Sequence, residues 1–518
     1  MVSRVVAVVA VCGCAAGALA DPPDGYYDGI TGTDGPTIFS QLTTLTNQAV
    51  TRSYNDARNI LQVTDEDPAN PDNIILVYNG ASINSVWTSG ATWNREHCWP
   101  RSLGVGSSGS DNSDLHMLRP CNPSVNSSRG NRKFGTLPGQ WDPDQFGRQF
   151  RGEMARLVFY AKTRYTYLSI PLVASQSQMV DWHFEQMPDA TDAERNDRVQ
   201  IYQLNRNPYV DRPEWVWAVF GDGPSDAQIT VAGSATVDLG AFIDTGSPIT
   251  TSVQLDKTGA APTTYLISTT GDVSSSAATG LQAGFARGAQ SLSIPVTLDA
   301  DPGVLVGEVT IDTTEITSAG PGRGSDDADD SVMITALALE PSLASLDGLA
   351  PTQAVAIDLG DIDVGGTSGP IAVPVWNLAD PVLGAAMDID GVSITGLADG
   401  VTLMGAPLLG VPPGASAPLV LEVAPSVPGP IAAIATIATS DENLPGEAFT
   451  DLTITITGTA VDLCPADLTG NGVINAEDLN AWIFAFNTGG PGCDQNGDGS
   501  CDEFDFNAWV FNFNAGCP

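Results

Sequence analysis

The spacing of hydrophobic and polar residues changes twice along the chain and separates three kinds of segment. Up to about residue 224 the spacing is mixed: residues 154–160 and 193–202 predict helices, and the apolar run at 73–78 is typical of a strand. From residue 228 to about 462, short alternating segments such as 292–298 recur, which is the pattern of β-sandwiches. After residue 463, two polar loops are each followed by a stretch that predicts one helix.

A faint internal repeat supports two sandwiches. Val-Asp-Leu-Gly at 237–240 recurs as Ile-Asp-Leu-Gly at 357–360, and a turn of Gly, Ser and Pro follows each copy. Nothing in this segment indicates catalysis, which favours spacer or surface-binding modules. We predict a multidomain chain with these parts: a signal peptide at 1–20, an α+β domain at 21–224, all-β sandwich domains at 228–337 and 340–462, and a small α-helical module at 463–518.

The charge of the chain is divided unevenly between these parts. The 518 residues carry a formal net charge of −40, which by itself argues against a polyanionic substrate. However, 17 of the 21 Lys and Arg residues lie between Arg52 and Arg212, none follows Arg323, and all three histidines lie in the same front part. The region before residue 224 therefore carries cations that can bind phosphate, whereas the rest is strongly acidic.

The N-terminus has the pattern of an export signal. Arg4 precedes the apolar run 5–16, and Ala-Leu-Ala at 18–20 is a small-x-small cleavage site. This run is too short to span a bilayer, and no other stretch is apolar enough. We expect a secreted protein that is extracellular or associated with the cell surface.

The front region and the tail of the exported chain each contain an even number of cysteines, which favours disulfides over free thiols. We predict a Cys98–Cys121 bridge in the front region. Two more bridges are expected in the tail, with three pairings open, among Cys464, Cys493, Cys501 and Cys517. A zinc site is the weaker alternative, because no Cys-x2-Cys pair accompanies them.

Residues 93–135 hold side chains suited to phosphodiester hydrolysis, which needs an activated water and neutralisation of phosphate charge. His97 is the natural base near neutral pH, and Glu96 beside it is a ligand type for a hard cation. Asn126 offers an amide oxygen to the same ion, with Arg129 and Arg132 nearby for phosphate. Adjacent strand residues face opposite sides, so a bulge or strand end must let Glu96 and His97 line one cleft.

Four motifs resemble the endonuclease I family of exported bacterial nucleases. They are Asn-Arg-Glu-His-x-Trp-Pro-x-Ser from 94, Asp-Leu-His-x-Leu-Arg-Pro from 114, Pro-Ser-Val-Asn-Ser-Ser-Arg-Gly-Asn from 123, and the block 194–214. The resemblance implies a ββα-metal (His-Me finger) core in which His97 activates water. It also implies that Glu96 and Asn126 hold one divalent ion, for which Mg²⁺ is the first candidate. It also implies products with 5′-phosphates, and we assign Arg119 to the phosphate. The departures are Met117, Cys98 and Cys121, and none of them removes the base or the metal ligands.

Other polar residues of this region have competing interpretations. His116 is predicted to be structural or to support the site from behind the ligands, and His183 to be structural. Asn205 and Arg206 are assigned to substrate binding, with a loop-stabilising role as an equal alternative.

The tail contains two matching twelve-residue loops with Gly at position 6 and oxygen side chains at positions 1, 3, 5, 9 and 12, the spacing of calcium loops. Position 12 is Asp rather than Glu, and one helix follows each loop. The pair resembles a type I dockerin, which implies two Ca²⁺ ions and a cohesin-like partner. The ligand candidates are Asp467, Thr469, Asn471, Asn475, Asp478, Asp494, Asn496, Asp498, Asp502 and Asp505.

The sequence therefore predicts a secreted, metal-dependent endonuclease that acts on DNA, RNA or both with little sequence specificity. A surface adhesion or scaffold protein with an inactive front domain is the alternative, against which Glu96, His97 and Asn126 argue together. A phosphodiesterase acting on small substrates would share the chemistry, and the cutting of long polymers into internal fragments separates the two.

Overall fold

The computed structural model of the chain describes residues 22–223, 225–299, 301–313, 329–405, 407–461, 464–490, 492–496 and 498–516. The predicted signal peptide, Cys517 and most of the acidic, Gly-rich segment 320–330 lie outside the described residues. Backbone contacts divide the chain into two compact units, one containing the region up to residue 238 with 249–299 and 306–335, the other containing 239–248, 300–305 and everything from 336 onward. No helix in the described part of the chain is long and apolar enough to cross a membrane.

The N-terminal region, residues 22–223, mixes helices with short strands. Its helices are α1 (Gly35–Thr46), α2 (Tyr54–Thr64), α3 (Ser110–Ser113), α4 (Pro123–Arg129), α5 (Arg151–Arg164), α6 (Gln176–Glu185), α7 (Ala190–Gln203), α8 (Pro208–Asp211) and α9 (Trp215–Phe220). Its strands are β1 (Glu66–Asp67), β2 (Asn70–Ile75), β3 (Ser82–Asn84), β4 (Asn94–His97) and β5 (Leu118–Cys121). The predicted helices lie within α5 and α7, and the predicted strand overlaps β2.

A buried polar centre ties α5 to the loop before β5. Asp114, which is 1% exposed, accepts hydrogen bonds from the Tyr160 hydroxyl at 3.0 Å and the Tyr165 hydroxyl at 2.9 Å, and pairs with Arg164 at 2.7 Å. Burial alone would raise the pKa of Asp114, but Arg164 and the hydrogen bonds outweigh it and lower that pKa. A buried carboxylate with this many partners is fixed in place, and so is the chain that leads into β5.

Two all-β domains follow, and each consists of a four-stranded and a five-stranded sheet. The strands of the first are β6 (Gln228–Ala232), β7 (Thr236–Ile243), β8 (Ile249–Thr258), β9 (Thr263–Gly271), β10 (Val273–Ser274), β11 (Ala283–Phe285), β12 (Gln290–Leu298), β13 (Gly303–Asp312) and β14 (Asp330–Leu339). Those of the second are β15 (Ala344–Ser345), β16 (Ala354–Asp363), β17 (Ile371–Asn377), β18 (Met387–Leu397), β19 (Val401–Met404), β20 (Leu408–Val411), β21 (Ser416–Val423), β22 (Gly429–Asp441) and β23 (Phe449–Val461).

The two β domains share one topology. The first has the strand orders β10-β12-β8-β6 and β11-β9-β13-β14-β7, and the second has β19-β21-β17-β15 and β20-β18-β22-β23-β16. Adding nine to every strand number of the first domain gives the second. The repeated Asp-Leu-Gly motifs lie on β7 and β16, which are equivalent edge strands, with Gly240 at φ 71° and Gly360 at φ 61°. The faint sequence repeat therefore marks a duplicated domain.

The tail contains α10 (Ala476–Thr488) and α11 (Glu503–Ala515), and each begins with a capping box, on Asn475 and on Asp502. Cys493 and Cys501 form a disulfide, and Cys464 is also disulfide-bonded.

The predicted Cys98–Cys121 bridge is wrong, because both cysteines are free and buried. The β4–β5 register places Cys121 opposite Asn94, four positions from Cys98. That offset corresponds to about 13 Å along a strand, whereas a disulfide needs Cα atoms within about 7 Å. Burial also raises the pKa of the Cys98 thiol to about 12, so this sulfur is neutral and unreactive.

Candidate functional site

The residues singled out for phosphate chemistry lie on two antiparallel strands and the helix that follows them. In the register of β4 and β5, Asn94 lies opposite Cys121 and His97 opposite Leu118. Asn122 then ends β5 and caps α4, since its side chain accepts hydrogen bonds from the Ser124 and Val125 amides, and Pro123 occupies the first turn. The tight connection turns α4 back against β4.

Glu96 is held on β4 by two hydrogen bonds to one of its oxygens. Its side chain is 3% exposed, and Oε1 accepts from the Tyr78 hydroxyl at 3.0 Å and from Arg129 Nη1 at 3.0 Å. Within the described residues, no hydrogen bond is recorded to Oε2. Burial raises the pKa of Glu96, and Arg129 opposes that shift. The carboxylate is therefore oriented, with one oxygen left for another partner.

His97 occupies the end of β4, where its imidazole is held in one tautomer. Nε2 lies 3.1 Å from the backbone oxygen of Asn112 in α3. A carbonyl oxygen only accepts, so Nε2 must carry the proton and Nδ1 must keep its lone pair. Burial lowers the pKa of His97 to about 4, and the charges of Arg101 and Arg95 act in the same direction. At neutral pH the side chain is a neutral imidazole with a proton on Nε2 and an accepting Nδ1.

Asn126 faces β4 from the middle of α4. Its Nδ2 donates to Asn94 Oδ1 at 2.8 Å and to the Arg95 backbone oxygen at 3.4 Å. Because both contacts use the amide nitrogen, the amide oxygen is the end that remains for a ligand.

These donors fit a hard divalent cation. Glu96 Oε2 and Asn126 Oδ1 are oxygens without recorded protein partners among the described residues, and oxygen is the ligand atom that Mg²⁺ prefers. No group of three or more His, Cys, Asp and Glu side chains arranged to hold a metal is found in the described parts of the chain. An ion bound here would thus depend on one carboxylate and one amide, together with water or phosphate oxygens, as Mg²⁺ commonly does.

Arg119, the predicted phosphate-binding residue, is placed elsewhere by the structure. It is 5% exposed and pairs with Asp65 at 2.5 Å and with Glu153. It lines a cleft of about 810 Å³ that contains none of Glu96, His97 and Asn126. Its charge is neutralised by carboxylates from α5 and from the end of α2, which favours a structural role over phosphate binding.

Arg129, predicted to bind substrate, has contacts that favour support of the site instead. It is 1% exposed and donates to Glu96, to the His97 backbone oxygen at 3.0 Å and to the Cys98 backbone oxygen at 2.8 Å. Arg132, one turn later, is half-buried, donates to the Ser128 backbone oxygen at 2.5 Å and stacks over Trp141. Arg129 therefore fixes the shape of the β4–α4 unit.

Asn205 and Arg206 are buried in contacts that favour the loop-stabilising alternative over substrate binding. Asn205 is fully buried and donates to the Tyr160 hydroxyl at 2.7 Å, and Arg206 is 2% exposed and pairs with Asp211 and Asp197. The two other histidines are buried and each contacts a backbone carbonyl. His116 Nε2 contacts the Asn205 backbone oxygen at 3.2 Å, and His183 Nε2 contacts the Pro213 backbone oxygen at 3.0 Å.

Arg95 and Arg101 are the cations that the structure places around His97, and the sequence assignment missed them. The charges of both arginines lower the pKa of the imidazole, in addition to the larger effect of burial. Neither arginine has an ion-pair partner in the described regions. Arg101 is exposed, and Arg95 is half-buried. The only available signal was their position, one on each side of the Glu-His pair.

The two tail loops repeat the same internal hydrogen bonds. Asp467 accepts from the Asn471 and Gly472 amides, and Asp494 accepts from the Asp498 and Gly499 amides. The last carboxylate of each loop, Asp478 or Asp505, is fully buried and accepts amides of its own loop.

Comparison with known proteins places the N-terminal region in a family. A family model described as Endonuclease I matches residues 31–149 and 146–214. The extracellular ribonuclease of Bacillus subtilis (strain 168) is 35% identical over 224 residues, covering 37% of this chain and 77% of that protein, and the extracellular ribonuclease of Bacillus amyloliquefaciens is 33% identical over 222 residues, covering 37% and 76%. The extracellular deoxyribonuclease of Aeromonas hydrophila is 27% identical over 117 residues, covering 19% of this chain and 49% of that protein. With more than three quarters of a 35% identical relative covered, this chain belongs to the endonuclease I family.

Proposed function

We propose that the N-terminal region is a metal-dependent endonuclease that hydrolyses phosphodiester bonds of DNA, RNA or both with little sequence specificity. The observation that carries the proposal is the hydrogen bond of His97: the Asn112 carbonyl fixes its protonated nitrogen, Nε2, and leaves Nδ1 as an acceptor. The names of the relatives support both nucleic acids, since two are called ribonucleases and one a deoxyribonuclease.

In the proposed mechanism, His97 Nδ1 takes the proton from the attacking water, and burial keeps the imidazole unprotonated until then. Arg95 and Arg101 lie close enough to His97 to lower its pKa. We therefore assign these two cations, instead of Arg119, to binding the phosphate. Glu96 and Asn126 would hold a divalent ion, Mg²⁺ above others, which supplies charge stabilisation for the phosphate and the 3′-oxygen leaving group. This assignment corresponds to the ββα-metal class and leaves 5′-phosphates.

The proposal includes export. The relatives are named as extracellular enzymes, and the signal-peptide pattern at 1–20 accords with delivery outside the cell.

Metal dependence is tested by incubating the purified full chain with supercoiled plasmid and with long RNA, with Mg²⁺ and with EDTA. We expect internal cuts in Mg²⁺ and none in EDTA, because EDTA removes the divalent ion that Glu96 and Asn126 would hold. Ligation of the fragments without prior phosphorylation checks for 5′-phosphates. Cutting that persists at the same rate in EDTA contradicts the metal assignment, and release of mononucleotides only would contradict the endonuclease.

For the tail, the proposal is a dockerin-like module that binds two Ca²⁺ ions and a cohesin-like partner. Asp478 and Asp505 bury their carboxylates, and no Lys or Arg follows Arg323 to neutralise them. We expect calorimetry on the full chain to find two Ca²⁺ sites, and Asp478→Asn with Asp505→Asn to abolish both. Asp358→Asn, on an exposed β edge, is the matched control. An unchanged count of two in the double variant would place the ions elsewhere.

A further inference from the structure

Arginines of the N-terminal region include a buried, ion-paired group and others for which the described residues show no ion pair. The buried group is ion-paired with carboxylates, as in Arg119–Asp65, Arg156–Asp192, Arg164–Asp114 and Arg206–Asp211. Arg58 and Arg95 are half-buried and have no recorded ion-pair partner among the described residues; they contact aromatic rings. Cations left without carboxylates in a chain with a net charge of −40 are available to an external anion.

These two arginines belong to a continuous row of stacked groups that begins at His97. The Tyr54 ring stacks on the imidazole, with centroids 5.5 Å apart and planes at 24°. The Arg95 guanidinium lies 3.6 Å from the Tyr54 ring centroid and 5.5 Å from that of Trp87, and the Arg58 guanidinium lies 5.7 Å from the Trp87 centroid. We call Tyr54, Arg95, Trp87 and Arg58 the stacking row.

The fold holds this row rigidly at the surface. Tyr54 and Arg58 are one turn apart on α2, whose residues Ala57 and Leu61 are buried. Trp87 packs at 76° against Trp93, with centroids 4.7 Å apart, and Trp93 is fully buried. Every member of the row is half-buried, so each keeps part of its surface in solvent.

We propose that the stacking row binds a single-stranded segment of nucleic acid beside the phosphate attacked at His97, an inference that rests on the proposed function. The guanidinium groups of Arg58 and Arg95 contact successive phosphates, and the exposed part of Trp87 stacks on an unpaired base. A base in a duplex has both faces covered by its neighbours, so the row favours single strands or locally opened duplex.

Binding is measured separately from cleavage, in EDTA, by fluorescence anisotropy of an oligonucleotide of about 12 nucleotides and of the matching duplex. We expect Trp87→Ala to weaken single-strand binding about tenfold to a hundredfold, the usual effect of removing one stacking partner, and to weaken duplex binding less. Trp87→Leu retains an apolar contact with Trp93 and covers the case in which the alanine variant does not fold. Phe449→Ala, which removes an aromatic that is 74% exposed on the second β domain, is the control.

The charge contribution is measured with Arg58→Gln. The slope of log affinity against log salt should become shallower by about 0.7 for the single strand, as expected for one lost phosphate contact. Arg212→Gln removes an exposed cation outside the row and should leave the slope unchanged.

The outcomes separate this inference from the proposed function. Equal losses for single strand and duplex, or no loss in any Trp87 variant, overturn the stacking row even if the wild type cuts plasmid. Selective loss of single-strand binding in the Trp87 variants supports the row even if the wild type cuts nothing, a result that would overturn the endonuclease alone.

Discussion

Replacing His97 with alanine is expected to lower kcat for phosphodiester cleavage by about a hundredfold to ten-thousandfold, the usual contribution of a positioned general base. The loss should appear in kcat and not in substrate affinity, because the imidazole acts on the water. Initial rates on plasmid in Mg²⁺, at saturating substrate, measure the effect.

His183→Gln is the matched control for this variant. His183 is fully buried, donates to the Pro213 carbonyl through a group that glutamine can replace, and packs edge-to-face against Phe184, so this change should lower Tm and leave kcat unchanged. Wild-type kcat in His97→Ala would assign the base to another residue. A similar fall in both variants would show that the loss comes from unfolding.

Replacing Arg129 with methionine is expected to lower the free energy of unfolding of the N-terminal region by about 3–5 kcal/mol, the effect of breaking a buried ion pair on one side. The change leaves Glu96 buried without its cation and removes the donor to two backbone carbonyls of the β4 end. Urea titration followed by tryptophan fluorescence reports on this region, because it holds seven of the ten tryptophans.

Two further variants test the explanation. Arg132→Met removes a half-buried arginine one turn away and should cost about 1 kcal/mol. Adding Glu96→Gln to Arg129→Met should recover part of the lost stability, since no unpaired charge is then buried, while activity stays absent. Equal small effects of Arg129→Met and Arg132→Met on stability, with weakened substrate binding, would restore Arg129 as a phosphate-binding residue.

Local sequence signals predicted several elements correctly. Apolar spacing placed helices within α5 and α7, the alternating pattern gave the all-β character of residues 228 to 461, and Asp-Leu-Gly marked equivalent edge strands. Such features depend on residues within one or two turns or on strand alternation, so they can be recognised in the sequence.

The roles of individual cations needed the tertiary structure. Arg95, Arg101, Arg119 and Arg129 lie within a short stretch and have the same side chain. Arg119 and Arg129 neutralise buried carboxylates, whereas Arg95 and Arg101 lie near His97 with no ion-pair partner among the described residues. The partners of Arg119 come from 54 and 34 positions away, at Asp65 and Glu153, and no local pattern specifies such pairs.

The sequence by itself determined the family motifs, the candidate base and ligands at Glu96, His97 and Asn126, and the division into a cation-bearing front and an acidic remainder. Only the tertiary structure decided the tautomer of His97, the free state of Cys98 and Cys121, and the row from Tyr54 to Trp87. The physical reason is that side-chain chemistry is local, whereas register, burial and ion pairing depend on which distant segments the fold brings into contact.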